Sequence, residues 1–344
     1  MFGRKRSGSV LKVQALNMHW DTEDPFFFVS HHCDDYPKGN AQQAPPLEMI
    51  GGRNLGRDYK KLLGFRMYHG KVVPGFPLHA HWGYETVTMV SKGYVDHSDS
   101  LGIEGRYGAG DVQWISAGDL YVHNEMYPLV HSDNVNPNEI TQIMINLPLK
   151  DKGSVPEVRT IWSEDIPIVK DEGYVVKVIA GEFNGISALS PNAVSWASDP
   201  DNHVRILRIF MDPAAELMLS PIKEGINRNL YTTEGNGVNI NGEDFDPLKR
   251  FKLSADEIII RNGDAPGVLW LLEGRPINEK MSSFGPIVLD TDKNVREALN
   301  VVRKEELERW SWGLVDRTQP KGTSRFIRYK DGREEFPPSG SKEL

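Results

Sequence analysis

An internal repeat of short apolar runs and turns restricts the fold of this 344-residue chain more than any other feature. The segments "MVSKGYV" and "YTTEGNGV" align with Gly93 on Gly235, 142 positions apart. Further along, "GDVQWISAG" aligns with "ADEIIIRNG", which places Gly118 on Gly263, 145 positions apart. A nearly constant offset over two separate blocks indicates that one structural unit occurs twice.

The repeated unit is expected to consist of β-strands. Runs rich in Val, Ile, Tyr, Trp and Thr, such as "YETVTMV" and "VRILRIFM", alternate with turn signals supplied by 32 glycines and 22 prolines. Many short strands with frequent turns are typical of β-sandwiches and barrels. We therefore predict an all-β protein with two tandem domains, residues 1–155 and 156–315, whose boundary falls between Lys150 and Trp162.

Helical periodicity is clear at one place, in "TDKNVREALNVVRKEELERW". Apolar side chains at helical spacing line one face: Val295, Ala298, Leu299 and Val302. Thr291 is a suitable N-cap, and Gly313 is a stop signal. We predict that this helix closes the second domain. Residues 316–344 are polar and lack periodicity, so we predict an extension that is partly disordered or lies on the surface.

Composition excludes several classes of protein. The formal net charge of −8 argues against direct nucleic-acid binding, because phosphate contacts need concentrated Lys and Arg. Cys33 is the only cysteine, so an intrachain disulfide cannot form and a reducing compartment is expected. No apolar run approaches the roughly 20 residues that span a bilayer. We expect a cytoplasmic protein without membrane contact, with the nucleus as a further location if the source is eukaryotic.

Two pairs of candidate metal ligands share the same two-residue spacing. His79 and His81 lie in "FPLHAHWGYETVTM", and His123 and Glu125 lie in "YVHNEMYP". Residues two apart on a strand face the same side, so each pair presents both side chains to one face. On facing strands, three imidazoles and one carboxylate would converge, a donor set for iron, manganese, cobalt, nickel or zinc. Open coordination positions at such a site indicate chemistry or ligand exchange.

The second copy of the repeat lacks these ligands. At the offsets given above, the four positions become residues that make no metal set: Pro221, Lys223, Val268 and Trp270. We therefore expect a metal in the first domain only.

Glu85, four residues after His81, is an alternative carboxylate. A ligand set of His79, His81, Glu85 and His123 is chemically reasonable. We favour Glu125 because its spacing to His123 is regular for a strand, whereas Gly83 disturbs the register before Glu85. Glu85 is then expected beside the metal site, where it accepts a hydrogen bond from a ligating histidine.

Ordered blocks of the chain resemble the pirins, a family of two-domain cupin proteins. The blocks are "GFPLHAHWGYETVTMV", "HSDSLG", "GAGDVQWISAG", "VHNEM" and, near the C-terminus, "LLEGRPINEKMSSFGPIVLDT". The resemblance covers most of the chain from Asp24 to Ala298. It implies two tandem jelly-roll (cupin) β-barrels and a metal-free second barrel. It also implies Fe(2+), or another divalent transition metal, held in the first barrel by His79, His81, His123 and Glu125.

Two functions are implied by this resemblance. The first is a quercetin 2,3-dioxygenase-type oxygenase that acts on flavonol-like aromatic compounds and dioxygen, with Glu125 as general base. The alternative is an iron-dependent redox-sensing regulatory protein or transcription cofactor without turnover, which binds a protein partner such as an NF-κB-type transcription factor.

The chain departs from the family pattern beside the metal. The family usually carries H-P-H-R-G where this chain has H-A-H-W-G, so Trp82 replaces an arginine. The segment from Pro45 to Gly75 is also longer than is usual in the family. Trp82 and Met126 adjoin ligands in sequence, and we predict that both line the pocket.

The remaining histidines of interest are predicted to be structural. His97 in "VDHSDS" should lie on the far side of a hairpin from the ligands. His31 and His32 stand beside Cys33 and could be read as a second metal cluster. Adjacent strand residues face opposite ways, so we interpret them as surface residues.

Overall fold

The computed structural model describes residues 8–338, in which β-strands dominate. The strands up to residue 146 are β1 (Val10–Ala15), β2 (His19–Trp20), β3 (Phe26–Tyr36), β4 (Gly75–His81), β5 (Tyr84–Lys92), β6 (Tyr94–Asp99), β7 (Glu104–Gly108), β8 (Val112–Ala117), β9 (Tyr121–Met126) and β10 (Asn136–Asn146). The next strands are β11 (Glu157–Ile161), β12 (Ile168–Asp171), β13 (Tyr174–Ala180), β14 (Glu182–Phe183), β15 (Ile186–Ser187), β16 (Arg205–Met211), β17 (Glu216–Leu219) and β18 (Asn227–Glu234).

The remaining strands include β19 (Val238–Ile240), β20 (Glu243–Phe245), β21 (Lys249–Leu253), β22 (Ile258–Asn262), β23 (Gly267–Gly274), β24 (Ser282–Phe284), β25 (Ile287–Leu289), β26 (Phe326–Arg328) and β27 (Glu334–Glu335). In the part of the chain that the structure describes, short 3-10 helices occur at Leu47–Met49, Leu149–Asp151, Trp196–Ser198 and Pro200–Asn202. Within residues 8–338 the one α-helix is α1 (Asp292–Glu305). It is neither long nor apolar enough to cross a membrane, and the same holds for every helix described.

Contacts divide the chain into two units, each made of two segments. The first unit contains residues 30–165 and 279–338, and the second contains residues 8–29 and 166–278. The predicted domains are continuous stretches that end at residues 155 and 315. In the structure, residues 8–29 belong to the second unit and residues 279–338 belong to the first. Strand β1, for example, pairs with β21 of the second unit.

The two units repeat one topology. In the first unit the sheets run β11-β8-β5-β10-β3 and β27-β26-β7-β6-β9-β4, and in the second they run β1-β21-β18-β23-β16-β13-β12 and β17-β22-β19-β20. The core orders β8-β5-β10-β3 and β7-β6-β9-β4 reappear as β21-β18-β23-β16 and β20-β19-β22-β17. The predicted all-β fold with a duplicated unit is confirmed.

One block of the sequence alignment is displaced by one strand. Gly118 follows β8 and Gly263 follows β22, but the topology matches β8 with β21 and β9 with β22. Consecutive strand–turn blocks resemble each other, so the sequence pattern alone could not fix which strand matches which. The counterparts of His123 and Glu125 therefore lie on β22, and not at Val268 and Trp270 on β23.

Helix α1 begins as predicted and packs on a different unit from the one predicted. Thr291 is the N-cap, its hydroxyl accepting from the Asn294 amide at 3.2 Å. The buried face of α1 covers apolar side chains of β4, β9 and their connections in the first unit: Val295, Ala298 and Val302 against Ala80, Leu120 and Val122. All six residues of β9 are buried, which requires a cover on each face of that strand. The helix supplies the outer cover.

The C-terminal extension is ordered as far as residue 338. Strand β26 pairs with β7, and β27 pairs with β26, so this segment widens a sheet of the first unit. Phe326 and Ile327 are 6% and 1% exposed. Of the two alternatives predicted for this extension, partial disorder or a position on the surface, the structure agrees with the second for residues 316–338, and residues 339–344 lie outside those described. Two buried apolar side chains anchor a segment whose average composition is polar.

Candidate metal centre

The predicted ligands lie on two adjacent strands, β4 and β9. In their antiparallel register His79 faces His123, and His81 faces Tyr121. A bulge interrupts the register between Phe76 and His79 at Pro77, which lacks the N–H that a regular ladder needs. The bulge sets His79 opposite His123 and leaves Glu125 opposite Phe76. Both ligand pairs consequently face the same interior.

The three imidazoles lie together, and the Glu125 carboxylate lies beside two of them. Nε2 of His81 lies 2.8 Å from Nε2 of His123. Glu125 Oε2 lies 3.7 Å from His79 Nε2 and 3.8 Å from His123 Nε2. Donor atoms bound to one ion at about 2.1 Å lie about 3.0 Å apart at right angles and about 3.4 Å apart in a tetrahedron. The His81–His123 separation is close to the first value, and the longer contacts of Glu125 place its carboxylate beside the three histidines, where a single ion could draw it closer.

Burial keeps the three imidazoles neutral. It lowers the pKa of His79 to about 4, although a backbone hydrogen bond to Pro77 opposes the effect. It also lowers the pKa of His81 and His123 well below the usual range. His79 Nδ1 donates to the Pro77 carbonyl at 2.9 Å, so the Nε2 lone pair points toward the cluster. A neutral ring whose other nitrogen is held by an oxygen acceptor is the usual state of a metal-ligating histidine.

Two tyrosines, unnoticed in the sequence, border the histidines. The Tyr84 hydroxyl hydrogen-bonds Nδ1 of His81, an arrangement that depends on the tight turn at Gly83. Gly83 has φ +85°, and a Cβ there would lie 2.0 Å from the Val288 carbonyl oxygen. The Tyr121 ring lies 5.2 Å from that of His123. Tyr121 could have been found by extending the two-residue alternation of β9, whereas Tyr84 depends on the turn geometry.

Glu125 is held by a residue from a third strand. Gln142 Nε2 lies 3.3 Å from each carboxylate oxygen of Glu125 and 3.1 Å from the Thr88 hydroxyl. Glu125 itself is 4% exposed, and its burial raises its pKa. Gln142 thus orients the carboxylate toward His79 and His123. No local sequence signal marks Gln142, because it meets Glu125 only through the fold.

The cluster opens to solvent at His79, whose side chain is 28% exposed. A line of aromatic rings leads outward from it. The ring of Phe76 lies 6.0 Å from His79 and 4.4 Å from His69, and His69 lies 4.8 Å from Tyr59. Tyr59 is 48% exposed. In this aromatic line, Tyr59 and His69 belong to the long segment before β4 and Phe76 belongs to β4 itself, so aromatic rings border the exposed side of His79.

Glu85 lies away from the histidine cluster. Its carboxylate accepts from Trp114 Nε1 at 2.7 Å and from Ser116 Oγ at 2.8 Å. The ring nitrogens of His79 and His81 that point away from the cluster contact Pro77 and Tyr84 instead. Glu85 was predicted to accept a hydrogen bond from a ligating histidine. The Pro77 carbonyl and the Tyr84 hydroxyl are the hydrogen-bond partners of His79 and His81 instead.

The predicted pocket residues Trp82 and Met126 face away from the site. Trp82 packs on the apolar cluster beneath α1, and its Nε1 donates to the Lys152 carbonyl at 3.2 Å. Met126 packs with Ala44 and Val73. The alternation that turns His81 and Glu125 inward turns their sequence neighbours outward. Adjacency in the sequence was the wrong criterion for pocket residues.

His97 lies closer to the site than the sequence indicated. It faces Glu125 across β6 and β9, and its ring lies 5.4 Å from that of His123. His97 Nε2 contacts Asp99 Oδ2 at 3.0 Å, and Tyr121 donates to the same carboxylate at 2.9 Å. The chain returns from the hairpin directly beside β9, so the position predicted on its far side was wrong.

The second unit has hydrocarbon where the first has donors. On β17 and β22, the counterparts of β4 and β9, Leu217 faces Ile260 and Leu219 faces Ile258. These four side chains belong to the apolar core of that unit, each no more than 1% exposed. These four side chains contain no metal-binding atom, so the donors on β4 and β9 have no counterparts on β17 and β22.

Comparison with known proteins places this architecture in a family. The family model for pirin matches residues 57–145, and the model for the pirin C-terminal cupin domain matches residues 206–308. Pirin-like protein 2 of Arabidopsis thaliana is 31% identical over 262 residues, which cover 71% of this chain and 75% of the relative. The chain belongs to the pirin family. A second Arabidopsis thaliana pirin-like protein is 31% identical over 235 residues, 66% of this chain and 73% of the relative.

Solved structures support the same fold. A quercetin 2,3-dioxygenase from Acinetobacter baumannii superimposes with a TM-score of 0.68 at 21% identity, covering 89% of this chain and 99% of the other. A second structure of that name from the same organism has a TM-score of 0.61 at 18% identity and covers 88% of each chain. At these identities the likeness establishes the cupin fold of this pirin and not its chemistry.

Proposed function

We propose that this pirin is an Fe(2+)-dependent oxygenase of the quercetin 2,3-dioxygenase type, acting on a flavonol-like aromatic substrate. The observation that carries the proposal is a cluster of three neutral imidazoles within 4.8 Å of one another, with one carboxylate beside two of them and with His79 open to solvent. The name of the Acinetobacter relative agrees with it. Ferrous iron bound there would supply open coordination positions and the one-electron chemistry that reactions with dioxygen need.

The protein residues have separate roles in this proposal. His79, His81 and His123 hold the metal together with Glu125. The Glu125 carboxylate, oriented by Gln142, accepts the proton of the substrate hydroxyl. Phe76 and His69 offer ring faces to a flat substrate that enters beside His79. Helix α1 keeps water from the outer side of β4 and β9.

The test uses metal-stripped protein reloaded anaerobically with Fe(2+), mixed with quercetin and then with oxygen. Loss of the flavonol absorbance is the expected result, and His79→Ala should abolish it. His131→Ala is the matched control, because His131 is an exposed histidine of the same unit. Glu125→Gln should lower kcat by about 10²–10⁴-fold, the usual contribution of a general base. Full iron occupancy without any flavonol consumption would contradict the proposal.

The alternative, an iron-dependent redox-sensing regulator that binds a protein partner, is favoured by a different observation. Both ligand strands hydrogen-bond to the segment that follows α1. The Leu78 amide donates to the Val315 carbonyl at 2.8 Å, and Asn124 Nδ2 donates to the Arg317 carbonyl at 2.9 Å. A one-charge change at the metal could thus reach a C-terminal surface segment.

The regulatory hypothesis is tested by a separate measurement, limited proteolysis. Tryptic cleavage of the C-terminal segment should differ between the Fe(2+) and Fe(3+) forms, and Asn124→Ala should reduce the difference. If quercetin is not consumed and the two oxidation states are digested identically, neither function is retained. Elemental analysis of protein purified without chelators determines which metal the chain carries.

A further inference from the structure

A second group of donor atoms lies on the opposite face of the sheet that contains Gln142. His31 and Cys33 share one face of β3, and His31 Nε2 lies 3.6 Å from Cys33 Sγ. Glu139 on β10 completes the group, with one donor atom of each residue within 4.8 Å of the other two. The combination of imidazole, thiol and carboxylate differs from the nitrogen-rich cluster at His79.

The surroundings orient these side chains as a binding site requires. His31 Nδ1 lies 2.8 Å from the Thr141 hydroxyl, which directs Nε2 toward Cys33. Thr141 is next to Gln142 on β10, so strand alternation places this group on the other face from the His79 cluster. Glu139 is 2% exposed, whereas Cys33 is exposed to solvent at the surface of the sheet.

A cation already occupies part of this environment. Lys92 Nζ lies 3.2 Å from Glu139 Oε2, and the Lys92 side chain is 57% exposed. A flexible ammonium at that exposure can turn into water when a divalent ion replaces it. Lys61 Nζ donates to the Cys33 carbonyl at 3.0 Å, which fixes the backbone of β3 at this residue.

We propose that His31, Cys33 and Glu139 form a zinc site separate from the pirin metal centre. Zinc combines thiolate, imidazole and carboxylate ligands in a tetrahedron, in which donor atoms lie about 3.5 Å apart. Three protein ligands leave the fourth position to water, as in exchangeable zinc sites. This proposal does not depend on the proposed oxygenase activity.

The chain offers an unusually direct test because Cys33 is its only cysteine. A thiol reagent added to the metal-stripped full-length protein reports on Cys33 alone. Zn(2+) should slow the modification, and Co(2+) should give a thiolate-to-cobalt charge-transfer band in the near ultraviolet. Cys33→Ser should lose that band, whereas His79→Ala should retain both the band and the protection.

Further variants separate a three-ligand site from a lone thiol. His31→Ala and Glu139→Gln should each abolish the protection at Zn(2+) concentrations that protect the unaltered chain. Thr141→Val keeps the ligands and should weaken zinc binding by about 10–100-fold, the usual effect of losing an orienting hydrogen bond. Circular dichroism of each variant confirms the fold. No protection of Cys33 by Zn(2+), or protection unchanged in both His31→Ala and Glu139→Gln, would overturn the site.

Discussion

Replacing Asp96 by asparagine should destabilise the first unit by about 3 kcal/mol, the lower end for breaking a buried ion pair. Asp96 and Arg106 side chains are each 1% exposed. Arg106 Nε donates to Asp96 Oδ1 at 2.7 Å, and Arg106 Nη2 donates to Oδ2 at 2.9 Å. The carboxylate therefore neutralises a guanidinium that water does not reach.

The magnitude follows from the hydrogen bonds that the asparagine cannot make. Asparagine has one acceptor oxygen where Asp96 has two, so one arm of Arg106 must face an NH2 group. A hydrogen bond to a charged group contributes about 1.5–3 kcal/mol, and the unpaired guanidinium adds its own desolvation cost. If the amide nitrogen takes the position of Oδ2, the Gln319 amide also loses its acceptor, now 2.8 Å away.

Urea unfolding followed by tryptophan fluorescence measures this loss. With an m-value of about 1–3 kcal/mol per molar, the midpoint of the affected transition should fall by about 1 M or more. Glu297→Gln is the control, because Glu297 and Lys293 form an exposed pair at 3.9 Å that should contribute less than about 0.5 kcal/mol.

A second readout follows the C-terminal segment. Arg106 also donates to the Thr323 carbonyl at 2.9 Å, so Asp96→Asn should speed tryptic cleavage after the exposed Lys321. Equal midpoint shifts for Asp96→Asn and Glu297→Gln, with no change in cleavage, would refute this account of the buried pair.

Three further outcomes are expected. Lys152 donates to the Gly83 carbonyl at 2.7 Å and burial lowers its pKa to about 8. The unfolded chain then binds this proton more tightly than the folded chain. The free energy of unfolding should therefore rise between pH 8 and about 10.4, by at most about 3 kcal/mol. Urea unfolding midpoints should show this rise in the unaltered chain and not in Lys152→Met. Thr291→Ala removes the N-cap of α1 and should lower the free energy of unfolding by about 1 kcal/mol, whereas Thr291→Ser should not. If the aromatic line guides a flat substrate, Phe76→Leu should raise KM for quercetin about three- to tenfold at constant kcat in steady-state assays.

The predicted ligands could be paired from sequence because the relation that places them on one face is local. A spacing of two residues fixes a common face whatever the strand pairs with, and His79 with His81, and His123 with Glu125, each satisfy it. The same rule, applied one residue further, would have excluded Trp82 and Met126 from the pocket. Trp82 and Met126 were placed in the pocket because each is next to a predicted ligand in sequence. Neighbouring residues on a strand point to opposite faces.

Other parts of the site depend on strand register, which no short stretch of sequence encodes. Gln142 reaches Glu125 from β10, and His97 faces it from β6. His31, His32 and Cys33 were predicted to be surface residues because adjacent strand residues face opposite ways. The spacing of two residues between His31 and Cys33 places those two side chains on one face. Glu139 joins them only through the β3–β10 pairing.

The two units share one strand topology, but the side chains inside β4 and β9 of the first unit differ in chemistry from those inside β17 and β22 of the second. On the matching strands the second unit pairs Leu217 with Ile260, and the first pairs His79 with His123. Hydrocarbon there stabilises the second unit without a ligand, whereas buried imidazoles and Glu125 remain polar groups removed from water. A bound metal ion would offset that cost in the folded state alone, adding about 4 kcal/mol at a thousandfold excess over its Kd. If the donors bind a metal ion, the stability of the first unit will depend on that ion, whereas the apolar contacts between α1 and the outer face of β4 and β9 stabilise the unit with or without it.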